Sequence, residues 1–136
     1  ETTDYNGKYY TLSDARCNPK PVQNPLPPLC IGGNGEKRTL PNVVKWANHW
    51  NYAGFDLEGF TAKQAVLHDQ CRAAGRDPSE IMSSIHIPVQ KEGMDELPET
   101  LDKFREAGLG MAVFYLPPRH SIDVLEPLAR ACEASL

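Results

Sequence analysis

The chain has 136 residues, of which 40% are hydrophobic, 24% charged and 8% aromatic, a composition typical of folded globular proteins. Its 14 basic and 18 acidic residues give a net charge of −4 and form no basic face interleaved with aromatics, which argues against nucleic acid as a partner. No apolar run approaches the roughly 20 residues of a membrane span, and the first residues carry no basic-then-apolar export signal. We therefore expect a cytoplasmic protein with no membrane partner.

Cysteine and histidine spacing predicts neither a metal site nor a redox pair. The cysteines lack the C-x-x-C spacing of zinc and redox motifs, and no two histidines have the i, i+4 spacing of a helical metal site. Free thiols are the favoured interpretation, and two disulfides in a secreted protein are the alternative. The cysteines are Cys17, Cys30, Cys71 and Cys132.

The N-terminal residues predict an irregular lead-in. Asn6-Gly7 lies between short aromatic runs within Asp4–Leu12, a strong hairpin signal. Five of the twelve prolines fall within Asn18–Pro28, which excludes a helix or a central strand there. Because the chain starts at Glu1 rather than Met, we expect it to begin partway through a larger domain. We divide the single segment 1–136 into a lead-in, 1–28, and a series of βα units, 29–136.

The remaining sequence alternates apolar runs with amphipathic stretches. The predicted strands are 29–31, 49–51, 81–87 and 111–116, and the predicted helices are 40–48, 57–74, 96–107 and 122–136. Four successive βα units predict a parallel sheet with right-handed crossovers, with the 57–74 helix packed outside it. Two architectures remain open: a doubly wound sheet, or half of a (β/α)8 barrel.

The segment after the first of these strands is the best candidate for chemistry. Gly32, Gly33, Asn34 and Gly35 follow a strand and precede a helix, an arrangement that lets backbone amides and a helix N-terminus approach a phosphate. Alternatively, these residues only turn the chain from strand to helix. The segment matches neither the dinucleotide fingerprint nor the phosphate loop of nucleotide-binding proteins.

Other candidates are weaker. Arg119 and His120 follow the last predicted strand, where loops form the active-site rim of a barrel, although a solvated loop is the simpler interpretation. Trp46, Trp50 and Phe114 lie in apolar runs and are predicted to be core residues. Cys30 is predicted to be buried and inert.

Several segments together resemble the bacterial luciferase-like monooxygenase superfamily, in particular its flavin- and deazaflavin (coenzyme F420)-dependent oxidoreductases. The matching residues run in the order and spacing of that family: Cys17–Gln23, Pro27–Gly33, Gly35–Leu40, Trp46–Asn51, Gly75–Pro78 and Ala107-Gly108. The resemblance covers essentially the whole chain.

The resemblance implies the C-terminal half of a (β/α)8 barrel of parallel strands, whose cofactor, F420 or FMN, places its phosphate against Gly32, Gly33, Asn34 and Gly35. Members usually carry an acidic residue where this chain has Asn48, which can still accept a hydrogen bond. The implied activity is oxidation or reduction of a small organic substrate, with acid–base groups in the other half, so no catalytic residue is assigned.

A noncatalytic association module is the alternative function. Half of a barrel exposes strand edges and the apolar face that the other half would cover. We expect Ile31, Ile85 or its neighbours, and Val113 to lie on that inward face. The chain is therefore predicted to form a homodimer or to pair with the missing N-terminal half.

Overall fold

The computed structural model describes residues 2–89, 93–116 and 122–134. Its first element is an antiparallel hairpin of β1, Thr3–Asn6, and β2, Thr11–Ala15. The Gly7 amide donates to the Tyr10 carbonyl at 2.9 Å across the turn. The predicted hairpin is thus confirmed. No regular element follows until residue 30, as the proline spacing predicts.

A four-stranded parallel sheet forms the centre of the chain. Its strands are β3, Cys30–Gly32; β4, His49–Tyr52; β5, Met82–Pro88; and β6, Met111–Tyr115. The helices between and after them are α1, Thr39–Trp46; α2, Leu57–Ala73; α3, Leu97–Glu106; and α4, Leu125–Ala134. Short 3₁₀ turns cover Pro78–Glu80, Met94–Glu96 and Ile122–Val124. The four predicted βα units are confirmed.

Strand order decides between the two architectures left open by the sequence. The strands lie side by side in chain order, β3-β4-β5-β6, and each neighbouring pair is parallel. A doubly wound sheet reverses its strand order at a switch point, whereas a barrel adds each new strand to the same edge. The described sheet therefore has the order of half a (β/α)8 barrel.

The hydrophobic core lies between one face of the sheet and the helices. Trp50 and Phe60 are fully buried and stack at 5.9 Å between ring centroids, and Phe104 meets Phe60 edge-on. Complete burial of a side chain of this size contributes roughly 1.5–3 kcal/mol. Helix α2 is held in place by its N-cap, because the Asp56 carboxylate accepts the Gly59 amide at 2.6 Å. Among the described residues no helix is long and apolar enough to cross a membrane.

Arg76 joins two helices. Its guanidinium donates to three carbonyls at the C-terminal end of α1 at 2.7–3.2 Å, those of Val43, Val44 and Ala47. Gly75 precedes it with φ +71°, the left-handed conformation that commonly ends a helix. The Gly75–Pro78 motif therefore serves helix packing at the amino end of β5.

Two burial predictions are wrong. Trp46 is 59% exposed, because Leu40, Val43 and Ala47 form the buried side of α1. Cys30 is exposed, because β3 is the edge strand of the described sheet and Cys30 faces away from the helices. The prediction for Trp50 is confirmed, and Phe114 is half-buried. None of the four cysteines forms a disulfide.

Candidate functional site

The glycine-rich loop lies where β3 ends and α1 begins. Gly33 has φ +119°, a conformation that side chains rarely adopt. Its amide donates to the Asn51 carbonyl at 3.0 Å, and its carbonyl accepts the Trp50 indole N–H at 2.9 Å. The start of the loop is thus bonded to β4 through both of Gly33's backbone polar groups.

The Asn34 side chain fastens the loop to its neighbour. Asn34 Nδ2 donates to the Ala53 carbonyl at 2.8 Å, and Asn34 Oδ1 accepts the Ala53 amide at 2.9 Å. This amide pair joins the loops after β3 and β4, so the Asn34 side chain has a structural role. Only the backbone of Asn34 remains available to a ligand.

Several amides of the loop are available. Within the part of the chain that the structure describes, the backbone N–H groups of Asn34, Gly35 and Glu36 have no hydrogen-bond acceptor. Helix α1 has no side-chain N-cap and no acidic residue in its first turn. Unpaired amides beside the positive end of a helix fit an anion such as a phosphate. Of the four predicted residues, Asn34 and Gly35 keep an unpaired amide, whereas the Gly33 amide is already bonded to Asn51. The assignment of a phosphate to this loop stays a prediction.

Acidic charge near the loop is neutralised. The Lys63 ammonium donates to the Glu36 carboxylate at 2.6 Å, and this hydrogen bond holds the pKa of Glu36 below its usual value. The Glu36 carbonyl accepts from Gln70 at 3.0 Å, which ties the end of the loop to α2. The carboxylate carried by the loop itself is therefore already paired.

The sheet face opposite the helices carries a row of polar side chains. Successive strand residues point to opposite faces, so Trp50 and Tyr52 pack on the helices while His49 and Asn51 lie on the other side. We call this side the uncovered face. The strand register places five polar residues on this face: His49, Asn51, Ser84, His86 and Tyr115.

A hydrogen-bond network joins three of these residues. The fully buried Ser84 Oγ lies 2.7 Å from His49 Nε2 and accepts from Asn51 Nδ2 at 2.8 Å. Burial lowers the pKa of His49, which favours its neutral imidazole. Farther along the face, the rings of His86 and Tyr115 meet edge-on at 4.7 Å between centroids.

The structure corrects the predicted composition of this face. Ile31 and Ile85 pack on the helix side of the sheet, and Ile85 is fully buried there. Val113 pairs with His86 across β5 and β6 and lies on the uncovered face as predicted. The prediction for Ile31 is wrong because the helices cover that side of the sheet. For β5, the prediction of Ile85 or its neighbours is met by the neighbours, Ser84 and His86.

The polar row is not among the residues that the sequence predicts as a site. The alternation of polar and apolar residues in His49–Tyr52 is the signal that could have found it. Asn48, predicted only to accept a hydrogen bond, does so: its Oδ1 accepts the Leu29 amide at 3.1 Å and fixes the start of β3. The candidates Arg119 and His120 lie outside the described residues.

Comparison with known proteins agrees with this architecture. No family model matches the chain. An F420-dependent secondary alcohol dehydrogenase, solved with an F420-acetone adduct, superposes with a TM-score of 0.80 and 14% identity over 99% of this chain and 56% of its own. The coenzyme F420-dependent tetrahydromethanopterin reductase from Methanopyrus kandleri gives a TM-score of 0.67 and 13% identity over 94% of this chain and 56% of its own.

The chain thus spans a little more than half the length of both structures. Identities this low establish the fold. The resemblance predicted from the sequence is confirmed at that level: the chain has the parallel α/β half-barrel fold found in F420-dependent enzymes.

Proposed function

We propose that this chain is part of a flavin- or deazaflavin-dependent oxidoreductase and supplies the binding site for the cofactor's phosphate. The observation that carries the proposal is the set of unpaired amides of Asn34, Gly35 and Glu36 at the N-terminus of α1. The similarity in fold to two F420-dependent enzymes supports the choice of cofactor class.

Each part of the loop has a distinct task in this proposal. The amides of Asn34, Gly35 and Glu36 donate hydrogen bonds to phosphate oxygens, and the positive end of α1 favours the negative charge. Gly33 permits the sharp turn that brings those amides together, and the Asn34 side chain holds the loop against Ala53. The cofactor, when bound, supplies the hydride chemistry.

In this proposal the cofactor ring lies against the uncovered face of the sheet. Gly32, at the start of the loop, pairs with Asn51 on β4, and His49 lies two residues earlier on the same strand. Because a strand rises about 3.3 Å per residue, His49 lies roughly 7 Å along the strand direction from the level of Gly32. A ribityl chain extending from the loop reaches that distance.

Titration of the full-length protein with FMN and with coenzyme F420 tests the proposal. Both compounds carry a phosphate on a ribityl chain, so the loop alone does not choose between them. We expect one of the two to bind with a perturbed absorbance band, and inorganic phosphate to compete with it. Failure of both to bind at submillimolar concentration would contradict the proposed function.

A noncatalytic association module is a second candidate, favoured by apolar residues on the uncovered face. Met82, Met111 and Tyr115 are 38–52% exposed there. We propose that this face is covered either by a second copy of the chain or by the other half of a barrel. A stable dimer that binds neither cofactor would support this candidate against the first.

A further inference from the structure

The His49–Ser84–Asn51 network offers two arrangements of protons, which differ in the tautomer of His49. Asn51 Nδ2 donates to Ser84 Oγ, so the serine oxygen already serves as an acceptor. The serine proton then needs an acceptor of its own, and His49 Nε2 lies 2.7 Å away. A nitrogen that accepts this proton carries none, so this arrangement requires the imidazole proton to lie on Nδ1.

The Nδ1 atom of His49 is available to a ligand. Among the described residues, His49 Nδ1 has no hydrogen-bond partner, and the His49 side chain is half-buried on the uncovered face. Ser84 is fully buried beneath it and cannot itself reach a ligand. Ser84 and Asn51 can therefore affect a ligand only through their hydrogen bonds to each other and to the His49 imidazole.

We propose that Asn51 and Ser84 are positioning residues that hold His49 in the Nδ1–H tautomer, so that this N–H donates to a carbonyl oxygen of the cofactor ring. The part about the cofactor rests on the proposed function, whereas the tautomer does not. Free histidine in water favours the opposite, Nε2–H form. The network thus imposes a tautomer that the residue would not adopt unaided.

Nitrogen-15 NMR of the histidine rings of the full-length protein, recorded without cofactor above the His49 pKa, tests the tautomer. A His49→Asn variant identifies the signals of that ring by their loss. We expect His49 Nε2 to resonate as an unprotonated nitrogen and Nδ1 as a protonated one. A protonated Nε2 in the unmodified protein would overturn the proposal, since Ser84 would then give its proton to Asn51 instead.

Variants at the two neighbouring serines provide a matched comparison. Ser84→Ala should shift the His49 ring toward the Nε2–H form, and Ser84→Thr, which keeps the hydroxyl, should restore the Nδ1–H form. Ser83 is also buried, but its hydroxyl donates to the Gly108 carbonyl at 3.1 Å on the other side of the sheet. Ser83→Ala should leave the tautomer unchanged. An unchanged tautomer in Ser84→Ala would overturn the role of Ser84.

Addition of FMN, then of coenzyme F420, tests the donor role. Binding of either cofactor should shift the His49 Nδ1–H resonance, and this shift should be smaller in Ser84→Ala than in Ser83→Ala. Tight binding that leaves the resonance in place would overturn the donor role. Failure of both cofactors to bind would contradict the proposed function, whereas the tautomer is decided by the cofactor-free spectrum.

Discussion

Replacement of Gly33 by valine tests whether the glycine-rich loop binds a phosphate or only turns the chain from strand to helix. Gly33 has φ +119°, and a Cβ atom at this position would lie 3.2 Å from Thr39 Cγ2. A residue with a side chain is strained in this conformation by about 1–3 kcal/mol. We expect the valine to displace the loop and to crowd the amides that follow it.

The effect on affinity can be derived from the hydrogen bonds involved. A hydrogen bond to a charged group contributes about 1.5–3 kcal/mol, so the loss of one amide–phosphate bond weakens binding roughly ten- to hundredfold. Fluorescence titration of the full-length protein with the cofactor that it binds measures this change.

Gly75→Val is the matched control. Gly75 also has a positive φ, +71°, but its Cβ would meet nothing within 4 Å, and the residue ends α2 rather than the candidate loop. Both variants should lower the melting temperature, whereas only Gly33→Val should weaken cofactor binding. An unchanged affinity in Gly33→Val, with thermal unfolding still cooperative, would refute the phosphate assignment.

Three further predictions concern stability and assembly. Arg76→Leu should lower the free energy of unfolding in urea by about 2–4 kcal/mol, because it removes three hydrogen bonds from a charged group to backbone carbonyls and a fourth to the exposed Glu80 carboxylate. Arg72→Leu, which removes only an exposed ion pair with Asp69, should lower it by less than about 1 kcal/mol, and equal losses in the two variants would contradict this reasoning. Hydrogen bonds from Gly59 and Tyr52 lower the pKa of Asp56, so its stabilising effect is present at neutral pH and fades as the pH falls below about 4. The difference in melting temperature between the unmodified protein and Asp56→Ala should therefore be smaller at pH 3 than at pH 7. An equal difference at both pH values would show that the ionised carboxylate of Asp56 is not the source of the stabilisation. Light scattering at micromolar concentration should show a dimer or larger assembly. A monomer that unfolds cooperatively would contradict the proposal that another chain or half-barrel covers the uncovered face.

Local sequence patterns were sufficient to predict the order of the elements. Asn6-Gly7 indicated the hairpin, the prolines excluded regular structure before residue 30, and the alternation of apolar runs with amphipathic stretches predicted four parallel βα units. These signals depend on the conformational preferences of short segments, which act before any long-range contact forms. The glycine-rich loop was identified in the same way, because backbone access and positive φ are local requirements.

Tertiary packing decided which face each strand residue occupies. Trp46 was predicted to be buried and is exposed, because the side of α1 that meets the sheet depends on how the whole helix docks. Ile31 was predicted to lie on the inward face and packs beneath the helices instead, and in β5 the neighbours of Ile85 occupy the inward face rather than Ile85 itself. A one-residue change of register moves every side chain of a strand to the opposite face, so a short strand pattern alone does not settle this.

The polar network is the clearest case of a feature that only the assembled sheet creates. His49 and Ser84 lie 35 residues apart and meet because β4 and β5 pair in parallel with Asn51 opposite Ser84. The sequence alone determined that a glycine-rich loop joins a strand to a helix. The tertiary structure alone decided that the strand beside this loop carries a histidine whose hydrogen-bond partner comes from the next strand. Pairing between such distant segments depends on how the whole sheet assembles.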